Sequence, residues 1–359
     1  MKNVLVTGGA GFIGSNFIHY LLNADPEVRI VNLDALTYAG SLENLRDLPD
    51  PQRHFFIQGS IVDRKLVDQV FEQYSIDTVV HFAAESHVDR SILDPGVFVE
   101  TNVVGTFTLL ESARKAWLVE KRLPIEAVRF HHVSTDEVFG TLERTAPPFE
   151  EKTPYAPRSP YAAAKASSDH FVRAYHTTYG LPISITNCSN NYGPRQFPEK
   201  LIPLMILNAA SGKKLPVYGD GMQVRDWLYV EDHCKAIHRV ILEGRVGETY
   251  CVGGDNQPPN IEVVKTICRI MDELQPASPF KPHEQLINYV TDRPGHDRRY
   301  ALDAGKIRRE LDWQPEIAWA DGLRSTIAWY GDQRLWWERI LSGAYRAANE
   351  AAVNGRVNE

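Results

Sequence analysis

The sequence predicts an α/β protein, in which a doubly wound, mostly parallel sheet is followed by a smaller α/β lobe toward the carboxyl end. Three observations carry that expectation. Short β-branched runs alternate with amphipathic stretches through the first two-thirds of the chain. A glycine-rich turn joins the first run to the first amphipathic stretch. After about Asn191 the alternation gives way to helical patterns separated by polar turns. Strand–helix alternation puts helices on both faces of a parallel sheet, with any ligand site beyond the carboxyl ends of the strands.

In chain order, six segments read as strands buried on both faces: "KNVLVTG", "VRIVNLD", "HFFIQGSI", "TVVHFAAE", "VRFHHVST" and "LPISITNCSN". Between the first two lies "SNFIHYLLN", where Phe17, Ile18, Leu21 and Leu22 share one helical face, and "RKLVDQVFEQY" repeats that periodicity further on. "KLIPLMILNAASGKK" and "NIEVVKTICRIMDEL" read as helices of the second lobe, with "YGDGMQVRD" and "GGDNQPPN" as turns. The expected division is 1–190 for the first domain, 191–340 for a lobe whose chain crosses back to it, and 341–359 for a tail. That tail starts helical, and its last ten or so residues are polar enough to fray.

Composition narrows the function classes. The 359 residues are 43% hydrophobic, 24% charged and 10% aromatic, an ordinary globular mixture. A net charge of −7 argues against an extended nucleic-acid surface, while leaving room for an anionic small ligand held by a few cations. Cys188, Cys234, Cys251 and Cys268 are widely spaced and form no CxxC pair, which suggests neither zinc nor a disulfide framework and fits a reducing cytoplasm. The apolar start "VLV" is too short for a signal sequence, and no apolar run approaches the ~18 residues that span a bilayer.

"TGGAGFIG" follows the first strand and opens the first helix. In that setting Gly8, Gly11 and Gly14 supply the tight turn, the close approach to a pyrophosphate and the helix–strand contact of a Rossmann dinucleotide site. A βα turn that simply needs glycine is the plainer alternative. Asp34 ends the second strand about 20 residues later, where an acid bonds the adenosine ribose hydroxyls. It repels the extra phosphate of NADP, and "DALTYAG" brings no arginine to attract it, so the expected cofactor is NAD.

"SPYAAAKASSDHFVRAYH" starts a helix with Pro160 in its first turn, and Tyr161 and Lys165 lie on one face. Most YxxxK pairs are surface residues. After a glycine signature, the spacing suggests a lysine that, with the positive nicotinamide ring, lowers the tyrosine pKa toward neutrality, so that the phenolate can take a proton from a sugar hydroxyl. "STDEVFG" sets Thr135, Asp136 and Glu137 side by side just past a hydrophobic strand. A solvated strand-end loop is the plain reading. In a desolvated cleft, however, adjacent carboxylates do not both ionise easily, and one keeps a proton while its neighbour serves as base. His131 and His132 sit mid-strand facing opposite ways, which disfavours joint metal ligation, and no metal is expected. His87 and His296 are better site candidates, although a structural hydrogen bond accounts equally well for either.

These elements resemble the extended short-chain dehydrogenase/reductase superfamily. Eight blocks sharpen the match: "TGGAGFIGSNF", "DALTYAGSLENL", "HFAAESHVDRSI", "STDEVFG", "SPYAAAKASSDH", "NNYGPRQFPEKLIP", "YGDGMQVRDWLYVEDH" and "DRPGHDRRYALD". Together they resemble the dTDP-glucose 4,6-dehydratases up to about Tyr330. The resemblance implies a hydro-lyase, active as a homodimer, that retains NAD and acts on dTDP-glucose to feed deoxysugar biosynthesis. It assigns Thr135 to the carbon-four hydroxyl, Asp136 to protonating the departing carbon-six hydroxyl, and Glu137 to the proton on carbon five. Enzymes that only oxidise or epimerise carbon four need no such acid pair.

The resemblance also implies coenzyme contacts at Phe12, Ile13, Ala35, Leu36, Thr37, Ser60, Ile61, Phe82, Ala83, Ala84, Ser86, Thr101 and Asn191, besides the glycines, Asp34, Tyr161 and Lys165. It implies substrate contacts at Ser86, Thr135, Asn190, Lys200, Leu201, Pro216, Tyr218, Arg225, Asn260, Arg293, His296 and Tyr300. Arg225 and Arg293 suit phosphate because a guanidinium bonds two oxygens at once, though a surface ion pair is the commoner fate of an arginine. Ser60 stands where many relatives carry an aspartate near the adenine, and Ser41 where asparagine is usual. The dimer is expected through "TNVVGTFTLLESARKA" and "YAAAKASSDHFVRAYH", whose apolar stripes exceed the needs of a solvent-facing helix, unless the second lobe covers them. The alternatives are a nucleotide-sugar 4-epimerase, a UDP-glucose 4,6-dehydratase and a non-catalytic NAD-sensing scaffold.

Overall fold

The computed structural model describes residues 1–292, 297–347 and 349. Its strands are β1 (Asn3–Thr7), β2 (Arg29–Asp34), β3 (His54–Gln58), β4 (Thr78–His81), β5 (Arg129–Thr135), β6 (Ile183–Cys188), β7 (Asn190–Tyr192), β8 (Leu215–Tyr218), β9 (Trp227–Tyr229), β10 (Thr249–Val252) and β11 (Ile287–Val290). Seven of them form one sheet in the order β10-β6-β5-β4-β1-β2-β3, and each neighbouring pair is parallel. β7 pairs with β9 and β8 with β11 in two small parallel ladders.

All six strands expected from the sequence are present. A seventh, β10, lies at one edge against β6, although its residues fall in the stretch read as the second lobe. At four residues, β10 is too short to show a period of its own. β3 departs from the expectation of burial on both faces: it is the opposite edge strand, and Phe55 remains 39% exposed. Coverage by helices on both faces is what makes a parallel strand uniformly apolar, and an edge strand receives less of it.

Three layers follow. On one face, helix Phe12–Ala24 and helix Val230–Glu243 pack Phe17, Ile18, Leu21, Ile237 and Ile241 against Val4, Val6 and Ile30. On the other, helix Arg64–Tyr74 and the turns around Trp117 cover Leu5, Val31 and Val79. Trp117 is fully buried and donates its Nε1–H to Ile76 O at 2.7 Å. Burial of that size with its polar edge satisfied makes truncation to alanine cost about 3–5 kcal/mol. The second lobe has its own core, in which helices Leu201–Ala210, Asn260–Leu274 and Trp319–Asp332 enclose Met205, Ile267, Met271 and Tyr330. Helix Arg334–Ser342 closes this lobe, and the expected fraying of the last residues falls on positions outside those described.

Candidate active site

Because the seven strands run parallel, Thr7, Asp34, His81, Thr135 and Cys188 all end on one edge of the sheet. Successive crossovers change direction between β1 and β4, which leaves a crevice at that edge. The glycine turn sits directly above it. Gly8 has φ +72°, and a Cβ there would lie 2.7 Å from the Ala83 backbone, while one on Gly14 would lie 2.3 Å from Gly8 O. Gly11 is looser, its nearest contact being Gly8 O at 3.3 Å. It is also the N-cap of helix Phe12–Ala24 and supplies no side-chain cap, so the first amides, those of Phe12 and Ile13, remain available to an anion. A diphosphate fits this cradle.

Asp34 is buried at the tip of β2. One carboxylate oxygen accepts Ala10 N–H at 2.8 Å and the other Leu36 N–H at 2.7 Å. Each oxygen keeps a second lone pair, which suffices for ribose hydroxyls. Ala35, Leu36 and Thr37 continue from this tip, with Leu36 at φ +54°. Ser60 follows β3, is exposed, and accepts Val62 N–H at 3.2 Å; Ile61 beside it is buried. Phe82, Ala83 and Ala84 lead out of β4, half-buried, and Ser86 is exposed on the same loop. Thr101 is half-buried on the wide helical turns Val99–Gly105. Asn191 is already committed in part, donating to Ser189 O at 3.0 Å and bonding the His233 ring at 2.9 Å. Ser41, the other departure from the family pattern, caps the turn Leu42–Leu45 by accepting Glu43 N–H.

Thr135 ends β5 and caps a single tight turn, Asp136–Phe139, accepting Glu137 N–H at 3.3 Å. This turn explains how two acids come to stand side by side. They occupy the start of a helical turn, where exposed amides favour negative charge. Asp136 is only 2% exposed, and its Oδ1 accepts from Thr135 at 3.2 Å while Oδ2 is buried with no hydrogen-bond partner. Burial first, then the charges of Glu137 and Asp226, hold its pKa well above the usual carboxylate range, which favours the protonated form. Glu137 is half-buried and lines the cleft.

Ser159 caps helix Pro160–Tyr179, which presents Tyr161 and Lys165 on one buried face. The protein chain alone opposes the lowering of the phenol pKa expected from Lys165 and the nicotinamide ring together. Burial, followed by Glu137, keeps the Tyr161 pKa well above 10, and the neighbouring Thr135 hydroxyl opposes this only in part. The ammonium of Lys165 turns instead to Val133 O at 2.8 Å and His132 Nε2 at 3.3 Å.

One cleft of about 380 Å³ brings Glu137 together with Asn190, Asn191, Lys200, Leu201, Pro216, Tyr218, Arg225, Asn260 and Tyr300. His87 also lines it, 3.5 Å from Glu199. Arg293 and His296 lie outside the described residues. Arg225 is buried under the Tyr300 ring, its guanidinium 4.5 Å from the centroid, and donates to Val224 O and Asp297 O. Part of the fork expected to hold phosphate is therefore spent on the backbone, and its charge also bears on Asp136. Sequence reasoning missed Asp226, whose pKa burial raises to about 6. It stands beside Arg225 in "QVRDW", but only the β7–β9 ladder carries it near Asp136. Sequence reasoning also missed Asp169, which was legible as the next step along the Tyr161–Lys165 face. Among the described residues no helix is long and apolar enough to cross a membrane.

Comparison with known proteins agrees with this geometry. The family model described as GDP-mannose 4,6 dehydratase matches residues 5–326. A dTDP-glucose 4,6-dehydratase of Neisseria meningitidis is 58% identical over 348 residues, covering 96% of this chain and 98% of the relative. One from Salmonella typhimurium is 53% identical over 361 residues, with 98% and 99% covered. The crystal structure of the Bacillus anthracis dTDP-glucose 4,6-dehydratase in complex with NAD superposes with a TM-score of 0.82 at 46% identity, covering 95% of this chain and all of that one. A UDP-glucose 4-epimerase of Thermotoga maritima shares the fold, with a TM-score of 0.81, at 27% identity over 92% of this chain and 99% of that one. From identity sustained over nearly its whole length, this chain belongs to the dTDP-glucose 4,6-dehydratase family.

Proposed function

We propose that the chain catalyses the NAD-dependent dehydration of dTDP-glucose to dTDP-4-keto-6-deoxyglucose. The observation that carries the reading is Asp136, a buried acid with an unpartnered carboxyl oxygen and a raised pKa, immediately beside Glu137, which lines the cleft. A 4-epimerase has no use for that pair. When bound, NAD supplies the hydride acceptor for carbon four and the hydride donor for carbon six.

The protein's own groups then divide the proton work. Thr135 orients the carbon-four hydroxyl, and Tyr161 takes its proton. A ketone at carbon four acidifies the hydrogen on carbon five, which Glu137 removes and later restores. Asp136 gives its proton to the carbon-six hydroxyl, which leaves as water. The two acids serve neighbouring carbons and are therefore consecutive in the chain. Tyr161 becomes an effective base only when positive charge from Lys165 and the coenzyme site offsets the burial that now holds its proton.

In this reading residues 1–190 hold the coenzyme and the reacting sugar, and 191–340 hold mainly the nucleotide, with Lys200, Arg225, Asn260 and Tyr300 lining the cleft and Asn190 at the boundary. Thymidine over uridine is the family's base. Cytoplasmic location is supported by four free, buried cysteines. A homodimer is supported by Phe107 and Phe171, both 40% exposed with ring centroids 6.3 Å apart, on the two helical segments already suspected. The test is to supply dTDP-glucose with no added oxidant and read the product by mass spectrometry. Loss of one water supports the dehydratase. Unchanged mass with altered stereochemistry indicates an epimerase, and unaltered substrate a scaffold.

A further inference from the structure

Behind Lys165, on the side away from the cleft, lies a buried polar core whose contacts do not fit one simple arrangement. His132 and Asp169 are both fully buried. His132 Nε2 lies 3.3 Å from Lys165 Nζ and 3.1 Å from Asp169 Oδ1. Its other nitrogen, Nδ1, has no hydrogen-bond partner. A neutral imidazole cannot both accept from the lysine and donate to the carboxylate through one nitrogen. If the proton sat on Nδ1, a buried donor would be orphaned and Asp169 would face a lone pair. With the proton on Nε2, the ring N–H faces Asp169 Oδ1, 3.1 Å away and otherwise without a hydrogen-bond partner, and Lys165 keeps Val133 O as its acceptor at 2.8 Å. The second arrangement leaves Nδ1 as an unpaired acceptor and sets the ammonium 3.3 Å from an N–H, but it supplies the buried carboxylate oxygen, whose unmet charge is the costlier defect.

Asp169 is itself firmly held. Its Oδ2 accepts from Ser134 Oγ at 2.8 Å and from Tyr155 OH at 2.7 Å, and the tyrosine oxygen accepts from Arg173 at 2.7 Å. The titratable groups facing this core are His81 from β4, His132 from β5, Cys188 from β6, Tyr155 from the loop before the helix, and Tyr161, Asp169 and Arg173 on the helix. Burial keeps the two histidines and the thiol neutral, and Asp169 stays ionised, its carboxyl below the usual range. Among these described groups it is the one anion.

We propose that Asp169, acting through the imidazole of His132, is the counter-ion that keeps Lys165 charged in the dry floor of the coenzyme site. Asp169 and His132 are thus positioning residues for the redox step. This rests on the dehydratase reading of Lys165. The lysine is only 5% exposed, and burial alone draws its pKa down. Both charges lie against one ring nitrogen, ~6 Å apart at most. At an effective dielectric of about 20, losing the carboxylate charge there lowers the lysine pKa by about 2 units.

The test is Asp169→Asn, which keeps the shape and an acceptor for His132 but removes the charge. The rate of NAD reduction on mixing with dTDP-glucose is followed against pH. The alkaline limb is expected to move down by about two pH units, with the plateau below it within several-fold of the unaltered protein. The Lys165 side-chain signal in isotope-labelled protein, titrated by NMR without substrate, is expected to shift equally. Loss of rate at every pH with no shift in either readout overturns the proposal, because a structural role alone predicts that. Tyr155→Phe removes a bond to Asp169 but not the charge, and should move the limb by less than about half a unit; a shift as large as that of Asp169→Asn also overturns it. If Asp169→Asn does not fold, histidine nitrogen shifts in the unaltered protein decide: Nε2–H on His132 supports the proposal and Nδ1–H refutes it. Should dTDP-glucose be left untouched, the proposed reaction fails, while the lysine titration still settles this inference.

Discussion

Asp226→Asn tests both the electrostatics of the site and its cost. The carboxylate is fully buried, and its charge bears on Asp136. Asn256 N–H reaches Oδ1 at 3.0 Å, while Oδ2 has no partner. Its pKa is raised from 3.8 to about 6, burial being the main cause and backbone N–H donors opposing it. For an acid raised in the folded state, ionisation costs stability. The cost is absent below the unfolded value of 3.8, grows as pH rises toward the folded value near 6, and is complete above it. That shift corresponds to about 3 kcal/mol near pH 8 and about half as much near pH 5. An asparagine keeps the acceptor and cannot ionise. Guanidinium unfolding should therefore show the variant ahead by about 3 kcal/mol near pH 8, with the margin shrinking to about 1.5 kcal/mol near pH 5. The same change removes one of the charges that raise the Asp136 pKa, so the alkaline limb of dehydration should move to lower pH. A stability difference that does not vary with pH would refute the reasoning.

Other substitutions probe the remaining parts. Glu137→Gln should still reduce bound NAD on mixing with dTDP-glucose but stall there, visible as reduced-coenzyme absorbance that does not decay; full turnover would remove the base assignment. Asp136→Asn should slow loss of water by about 10²–10⁴-fold, and a substrate with fluorine at carbon six should recover much of that rate, since fluoride needs less help to leave. Phe107→Glu places a charge on the apolar face shared with Phe171 and should shift sedimentation toward a monomer while the fold, read by circular dichroism, is kept; an unchanged oligomer would move the interface elsewhere.

Much of the site was legible from spacing. A glycine turn needs no partner outside its own segment, so Gly8, Gly11 and Gly14 declared themselves, and the crowding around Gly8 and Gly14 shows why no side chain fits. Tyr161 and Lys165 share a helical face by arithmetic. Asp136 and Glu137 drew attention because acids beyond a buried strand need a reason. The relation between Tyr161 and Lys165 was not legible, because it depends on which acceptors surround the ammonium, and those are Val133 O and His132. The division of Arg225 between backbone and cleft was equally hidden.

The sequence by itself determined the alternation of strands and helices, the glycine turn, and the candidate groups for proton exchange. Those properties are periodic or local, and a linear text carries them. Tertiary structure alone decided that Asp136 is the more deeply buried of the two neighbouring acids, brought Asp226 to it from 90 positions away, and set Asp169 and His132 beside Lys165. Protonation depends on how deeply a group is buried and on which charges lie within a few ångströms, and both are fixed only when distant segments pack together.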